Sequence, residues 1–264
     1  MSRRAAALVV AAAGLALAGC APSAADGGRA APAAPESEEL RPATLTVFAA
    51  ASLTDAFEEL AARFQERNPS VEVALNFGGS AALAQQVVEG APADVFAAAA
   101  EPPMQTLVDA GLVDDAVVFA TNTLELAVPA ANPAGVSGLS DLARVGLRIA
   151  LCDPSVPCGA ASATLLDAEG VVASPHTLES DVKAVLTKVS LGEVDAALVY
   201  RTDVLAAGDA VEGIEVPAAA SVVNRYPVGA LANTAQPDAA EAFVALVTGA
   251  GGSEVLDRLG FGAP

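Results

Sequence analysis

The sequence is short of aromatic residues, of cations, of cysteine and of histidine. Aromatic residues are 4% of its 264 residues. Whatever core the chain buries is therefore built from Ala, Val and Leu. Lys and Arg number 13 against 32 Asp and Glu, for a formal net charge of −19. A field of that sign repels nucleic acid and anionic membrane surfaces, and excludes them as partners. It also makes an anionic ligand look unpromising, although local dipoles can override a distant field. The lone histidine is His176, and the cysteines are Cys20, Cys152 and Cys158. Tyr200 and Tyr226 are the only tyrosines, too few for an oxygen-rich ferric site.

What is present begins with a targeting segment, expected over residues 1–20. Arg3 and Arg4 form its charged start, and Ala5 to Leu17 is apolar but too short for a comfortable membrane span. It ends in Leu17-Ala18-Gly19-Cys20, which resembles the lipobox of bacterial lipoproteins. There the cysteine is lipidated and becomes the mature N-terminus. Residues 21–43 are Ala, Pro, Gly, Ser and Glu with almost no large apolar side chains, and read as a flexible tether. Anchor and tether put the folded part at the outer face of the cytoplasmic membrane, in an extracytoplasmic or periplasmic compartment where disulfides persist. With Cys20 taken by lipid, the pair in "LCDPSVPCGA" reads as a Cys152–Cys158 disulfide. The alternatives are a thiol nucleophile or a metal site. Two cysteines and one histidine fall short of the usual zinc count. His176 reads as a surface or capping residue.

Residues 44–50 read as a strand. Ser52 is placed as the N-cap of the next helix, and Ser52-x-x-Asp55 as a capping box. Leu53, Ala56, Phe57, Leu60, Ala61 and Phe64 share one helical face, and Asn68-Pro69 ends the run. "VEVALNF" alternates as a half-buried strand. Gly78-Gly79-Ser80 then opens a second helix, and "ADVFAAA" is a further strand. This β-α-β-α-β order predicts a parallel sheet wrapped by helices. The same grammar restarts after Thr121. Strands are expected at "LELAVP", "LRIALC", "VDAALVY" and "RYPVGAL". Helices are expected over 159–169, 181–191 and 239–259, the last broken near Gly249 to Gly252. The economical arrangement is an α/β fold of two lobes, each a mostly parallel sheet flanked by helices, with a cleft between them. Lobe I takes 44–122 and 224–264, and lobe II takes 123–223.

Four places share one design: a strand end, a short turn of small or polar residues, then a helix start. They are Ala50 to Ser52, Gly78 to Ser80, Pro157 to Gly159 and Ser180 to Val182. Ligands of open α/β sheets bind outside the carboxyl ends of the strands. Helix N-termini there supply unpaired N–H groups and partial positive charge, which make an anion site without a cationic side chain.

The stretches "VFAAASLTDAF", "FGGSAALAQQVVEGAPADVFAAA", "GLRIALCDPSVPCG", "ESDVKAVL", "VDAALVY" and "YPVGAL" resemble the molybdate-binding proteins of bacterial ABC importers. The resemblance covers nearly all of residues 44–262 and implies the two-lobed fold of periplasmic solute-binding proteins. It implies no enzyme and no cofactor, but a monomer that captures molybdate, and tungstate, for an ABC permease and its ATPase. Carried over residue by residue, it implies that Ser52 and Ser80 bind the oxyanion from the first lobe. The backbone N–H groups of Cys158 and Val182 and the hydroxyl of Tyr200 bind it from the second. The metal is met only as oxyanion, with no direct metal ligands. The chain departs from the family at Gly78-Gly79-Ser80, where better-known members have a serine-rich run, and at Cys152 and Cys158, where they lack cysteine. Three rivals stand beside this reading. They are a binding protein for another tetrahedral oxyanion such as sulfate, a thiol hydrolase using Cys158 and His176, and a purely structural surface lipoprotein.

Overall fold

A computed structural model describes residues 40–264. The expected signal segment 1–20, with its lipidation site Cys20, and residues 21–39 of the expected tether lie outside the described residues. Packing begins at once, because the Leu40 carbonyl accepts a hydrogen bond from Ser70 Oγ at 2.7 Å.

The chain runs β1 (Ala43–Ala50), α1 (Thr54–Arg67), β2 (Val71–Gly78), α2 (Ser80–Val88), β3 (Val95–Ala97), α3 (Glu101–Asp109) and β4 (Val117–Asn122). It then crosses over into β5 (Leu124–Pro129), β6 (Ile149–Cys152), α4 (Pro157–Ala168), β7 (Thr177–Glu179), α5 (Val182–Ser190), β8 (Ala196–Tyr200), α6 (Arg201–Ala207) and β9 (Val211–Ile214). It returns with β10 (Asn224–Ala230), α7 (Pro237–Thr248) and α8 (Ala250–Arg258).

Two five-stranded sheets result, ordered β2-β1-β3-β10-β4 and β7-β6-β8-β5-β9. This is the expected two-lobed α/β fold. Strands joined through helices pair in parallel: β1 with β2 and β3, and β6 with β7 and β8. The two strands that arrive from the other lobe, β5 and β10, are antiparallel to their neighbours. Topology requires this. A strand fed by a helix of its own lobe starts at the far end of the sheet and finishes at the cleft. A strand fed by the opposite lobe starts at the cleft.

Composition decides how the layers pack. The central strands β3 and β8 are buried along their whole length in Val, Ala and Leu, with Phe96 in β3 and Tyr200 closing β8. Helix α1 buries Ala56, Phe57, Leu60, Ala61 and Phe64, the stripe its periodicity predicts. The scarce aromatics are pooled rather than scattered. Phe64 and Phe57 meet Phe243 at ring-centroid distances of 5.4 and 6.0 Å. Phe57 also meets Phe119 at 6.0 Å, and Phe119 meets Tyr226 at 6.4 Å. Tyr226 then contacts Phe261 at 5.6 Å and Tyr200 at 6.0 Å. The chain of rings leads from the core of lobe I to the junction with lobe II. Tilted pairs of this kind contribute ~0.5–1.5 kcal/mol beyond area burial.

Two local expectations are corrected. Ser52 is not an N-cap and forms no capping box with Asp55. It lies inside a 3₁₀ turn, Ala51–Leu53, and α1 starts at Thr54 with Leu53 as its uncapped N-cap residue. The turn delays the helix, and the Ser52 hydroxyl hydrogen-bonds Tyr226 instead. The C-terminal helical run breaks at Gly249 alone, and Gly251 and Gly252 lie within α8. A Cβ on Gly252 would overlap the Val247 carbonyl oxygen, so the chain can bend by 53° from α7 into α8 only with glycine there.

Phe243 is fully buried between Phe64 and Phe57 in the aromatic chain. Phe243→Ala should lower unfolding free energy by ~3–5 kcal/mol. Urea titration should show this as a fall in midpoint with an unchanged slope.

Candidate functional site

The carboxyl ends of β1, β2 and β3 meet those of β6 and β8 at the cleft. A cavity there is lined by Ala50, Ala51, Ser52, Gly78, Gly79, Ser80, Ala99, Val156, Pro157, Cys158, Asp181, Val182 and Tyr200. All four expected junctions border it, and so do all five candidate ligand residues, Ser52, Ser80, Cys158, Val182 and Tyr200. The cavity volume is about 10 Å³, near the least that admits one small molecule. The cavity is the size of a small solute, not of a peptide or nucleotide. The lobes touch across it: a Cβ on Gly79 would overlap the Ser180 carbonyl oxygen.

The hydroxyls lining the cavity are engaged from behind by other donors. Ser80 Oγ accepts from the Ala99 N–H at 3.0 Å. Tyr200 Oη accepts from Asn224 Nδ2 at 3.0 Å. The Asn224 amide cannot be reversed, since the same nitrogen donates to the Ala99 carbonyl at 2.8 Å. Ser52 Oγ lies 3.1 Å from Tyr226 Oη, and Asn122 Nδ2 reaches Tyr226 Oη at 3.5 Å. Asn122 is fixed too, with Oδ1 accepting from Thr123 N at 3.0 Å and Nδ2 donating to Thr202 Oγ1 at 2.8 Å. A hydroxyl whose lone pairs accept keeps its single proton for a further acceptor. Ser80 and Tyr200 can therefore turn their protons toward the cavity, and Ser52 can when Tyr226 donates to it. Burial pushes the pKa of both Tyr200 and Tyr226 upward, so both phenols remain protonated donors.

The backbone supplies the rest. Cys158 is the second residue of α4 and Val182 the first of α5. First-turn N–H groups have no intrahelical acceptor and carry the positive end of the helix dipole. Asp181 is the carboxylate bordering the cavity, and it is occupied as the α5 N-cap, with Oδ1 accepting from Ala184 N at 2.9 Å. A disulfide joins Cys152, at the end of β6, to Cys158, with a Cα–Cα distance of 5.7 Å. It ties the start of α4 to the strand before it. Gly159 lets the loop close, since a Cβ there would overlap the carbonyl oxygens of Cys152 and Asp153. His176 is exposed, its Nδ1 accepts from Ile149 N at 3.4 Å, and it does not border the cavity. Among the described residues no group of three or more His, Cys, Asp or Glu could hold a metal ion.

Sequence reasoning missed the residues behind the cavity: Asn122, Asn224, Tyr226 and Asp203. Asn122 and Asn224 face each other in the β4–β10 pairing, where the chain leaves and re-enters lobe I. An asparagine at each expected lobe boundary was the available signal. Asp203 is fully buried, and its Oδ2 accepts from Tyr200 N at 3.2 Å. Burial, opposed mainly by Lys183, pushes its pKa up to about 7.

That shift fixes a sign. The unfolded chain releases the Asp203 proton near pH ~4, whereas the folded chain keeps it to about 7. Between these values the unfolded state binds fewer protons, so stability from this group falls as pH rises through the window. Asp203→Asn should flatten the profile, gaining on the order of 2–4 kcal/mol over the parent between about pH 4 and 7.5. Denaturant melts of both proteins across that range measure it, and parallel profiles would contradict it.

Residues 45–262 match the bacterial extracellular solute-binding protein family. The molybdate-binding protein ModA of Mycobacterium tuberculosis is 43% identical over 222 residues, 84% of this chain and 85% of that protein. ModA of Escherichia coli is 30% identical over 82% of this chain and 88% of its own length. Among solved structures, the Azotobacter vinelandii periplasmic molybdate-binding protein superposes with a TM-score of 0.71 at 23% identity, covering 83% of this chain and 99% of that one. The Mycobacterium tuberculosis sulfate-binding protein SubI superposes with a TM-score of 0.72 at 22% identity, covering 83% and 86%. Both superpositions carry the fold. The chain belongs to the family of bacterial extracellular solute-binding proteins.

Proposed function

We propose that the protein captures molybdate, and tungstate, in the cleft and delivers it to an ABC permease and its ATPase while held at the membrane by lipid on Cys20. The oxyanion is cargo rather than cofactor, and the protein performs no catalysis on it. The observation that carries this reading is the polarity of the cavity. Ser80 and Tyr200 each accept a hydrogen bond from behind and keep a proton to donate, Ser52 is paired with Tyr226, and two helix N-termini border the same space. Neutral donors at Ser52, Ser80, Cys158, Val182 and Tyr200 suit a fully deprotonated tetrahedral dianion, with the Asp181 carboxylate spent on its own helix. Protonated phosphate fits it badly, because its O–H would need an acceptor. Identity to ModA over most of the chain supports molybdate as the cargo. The lobes of this reading are 44–122 with 224–264, and 123–223.

The thiol hydrolase is disfavoured by the chemistry of its residues. Cys158 has no free thiol, being bonded to Cys152, and His176 does not border the cavity that Cys158 lines. Sulfate is the serious competitor, since a sulfate-binding protein shares the fold.

Calorimetric titration with molybdate, tungstate and sulfate tests the proposal, with molybdate expected to bind most tightly or level with tungstate. Equal or tighter sulfate binding would replace molybdate with sulfate. Ser52→Ala, Ser80→Ala and Tyr200→Phe should each weaken molybdate by ~1.5–3 kcal/mol, about ten- to a hundredfold. Apo melting temperatures should change modestly. Three variants that bind like the parent would remove the anion from this cavity. Gly79→Ala should act differently, by holding the lobes apart at Ser180. It should weaken binding at least tenfold, ~1.4 kcal/mol, and leave the apo melt unchanged. A Gly79→Ala variant of parental affinity would show that the lobes need not touch there.

A further inference from the structure

We propose that Lys183 is a latch between the lobes that sets how long the bound oxyanion stays, with Asp55 as its partner across the cleft and Asp203 as its holder within lobe II. The inference rests on the oxyanion reading above. Lys183 directly follows Val182 at the start of α5. Its Nζ lies 3.0 Å from Asp55 Oδ2 and 3.5 Å from Asp203 Oδ1. Asp55 is in the first turn of α1, shortly after Ser52. One ammonium group thus joins the two helix starts that carry the expected oxyanion contacts of opposite lobes.

The two carboxylates play different parts because they differ in burial. The Asp203 side chain is 0% exposed and that of Asp55 is 50% exposed. Asp203 is held in place by the Tyr200 N–H on Oδ2, and its Oδ1 has no hydrogen-bond partner among the described residues. Lys183 faces that oxygen at 3.5 Å, as ammonium to a neutral carboxyl below about pH 7 and as an ion pair above it. Lys183 and Asp203 both belong to the second lobe, so this contact does not depend on the distance between lobes. It keeps the ammonium at the cleft mouth before Asp55 arrives, and so reduces the ordering entropy lost when the second contact forms. The Asp55 contact, in contrast, exists only when α1 and α5 are brought together. The close approach of Gly79 to Ser180 lies on the same seam.

Lys183 could instead act only as a positive field on the anion, and the two roles predict opposite results for Asp55. In a pure field, Asp55 is harmful, since it neutralises the ammonium and repels a dianion. Asp55→Asn would then tighten binding. In a latch, Asp55→Asn loosens binding through the dissociation rate, because the pair forms after the encounter.

Stopped-flow kinetics and calorimetric titration with molybdate, on the parent, D55N, K183R, K183M and D55N/K183M, separate them. D55N should dissociate about three- to tenfold faster, associate at least as fast as the parent, and melt like it in the apo form. K183R should stay near the parent, and the double variant should bind no more weakly than K183M. Because K183M leaves Asp203 buried beside no cation and can damage the fold, the half-exposed D55N carries the test wherever K183M fails to fold. D55N that holds molybdate as long as the parent or longer overturns the latch, and so does a double variant whose loss equals both single losses combined. A parent that binds neither molybdate nor sulfate overturns the oxyanion reading itself, a result distinct from a binding parent with an unaltered D55N.

Discussion

A hydroxyl group has one proton to give, and the cleft depends on where that proton is left. At Ser80 and Tyr200 one hydrogen bond is accepted from behind, from a backbone N–H and from an asparagine amide. Each of those donors is itself anchored by the fold. Ala99 stands just past the end of β3, and Asn224 is pinned by the Ala99 carbonyl. The fold therefore sets the direction of the hydrogen bonds as well as the position of the oxygens. Rotating hydroxyls would be indifferent to the charge of a ligand. Hydroxyls supplied with donors from behind are not, and their proton arrangement requires no reorganisation when an anion enters.

This reconciles a chain of net charge −19 with the anionic cargo proposed for it. The net charge governs the distant field and the rate of encounter, and both are screened beyond ~8–10 Å at ordinary ionic strength. Inside the cleft the relevant partners are dipoles within hydrogen-bond reach. Bonds to a charged acceptor are roughly twice as strong as neutral ones, and each helix terminus adds ~0.3–1 kcal/mol. The arrangement also leaves the acidic surface free of any burden in recognition, apart from Asp55.

Much of the plan was legible in the sequence because it is written locally. A strand end, a small or polar turn and a helix start occupy about a dozen residues each, and all four such junctions border one cavity. The α1 stripe and the alternation of β2 are periodic signals of the same short range. The supports behind the cavity are not local. Ser52 and Tyr226 are 174 residues apart, Ala99 and Asn224 125, and Asn122 and Thr202 80. No period or spacing records such pairs. Ser52 shows how a local rule can mislead. Its position before a helical run suits an N-cap, yet a 3₁₀ turn and a distant tyrosine take it away. The elements β7, α6 and β9, of three, seven and four residues, also went unread, as they are too brief for a hydrophobic period to stand out, and so did α3 and β4.

The scarcity of aromatics acquires a meaning at the same place. An Ala-, Val- and Leu-rich interior packs well but offers few large rigid surfaces on which to fix a polar group. The rings that exist form a continuous series from Phe64 and Phe243 in lobe I to Tyr226 and on to Tyr200 in lobe II. Both tyrosines of the protein stand at the end of it, with their hydroxyls in the polar seam. Close-packed rings resist displacement in a way that short aliphatic side chains do not. The oxygen of Tyr226 is thereby fixed beside Ser52 by the core of its own lobe. Tyr200 meets that core across the lobe boundary, paired with Leu124 where the chain first crosses. The ring contact between Tyr226 and Tyr200 buries apolar surface at the seam, beside the polar groups whose desolvation it offsets.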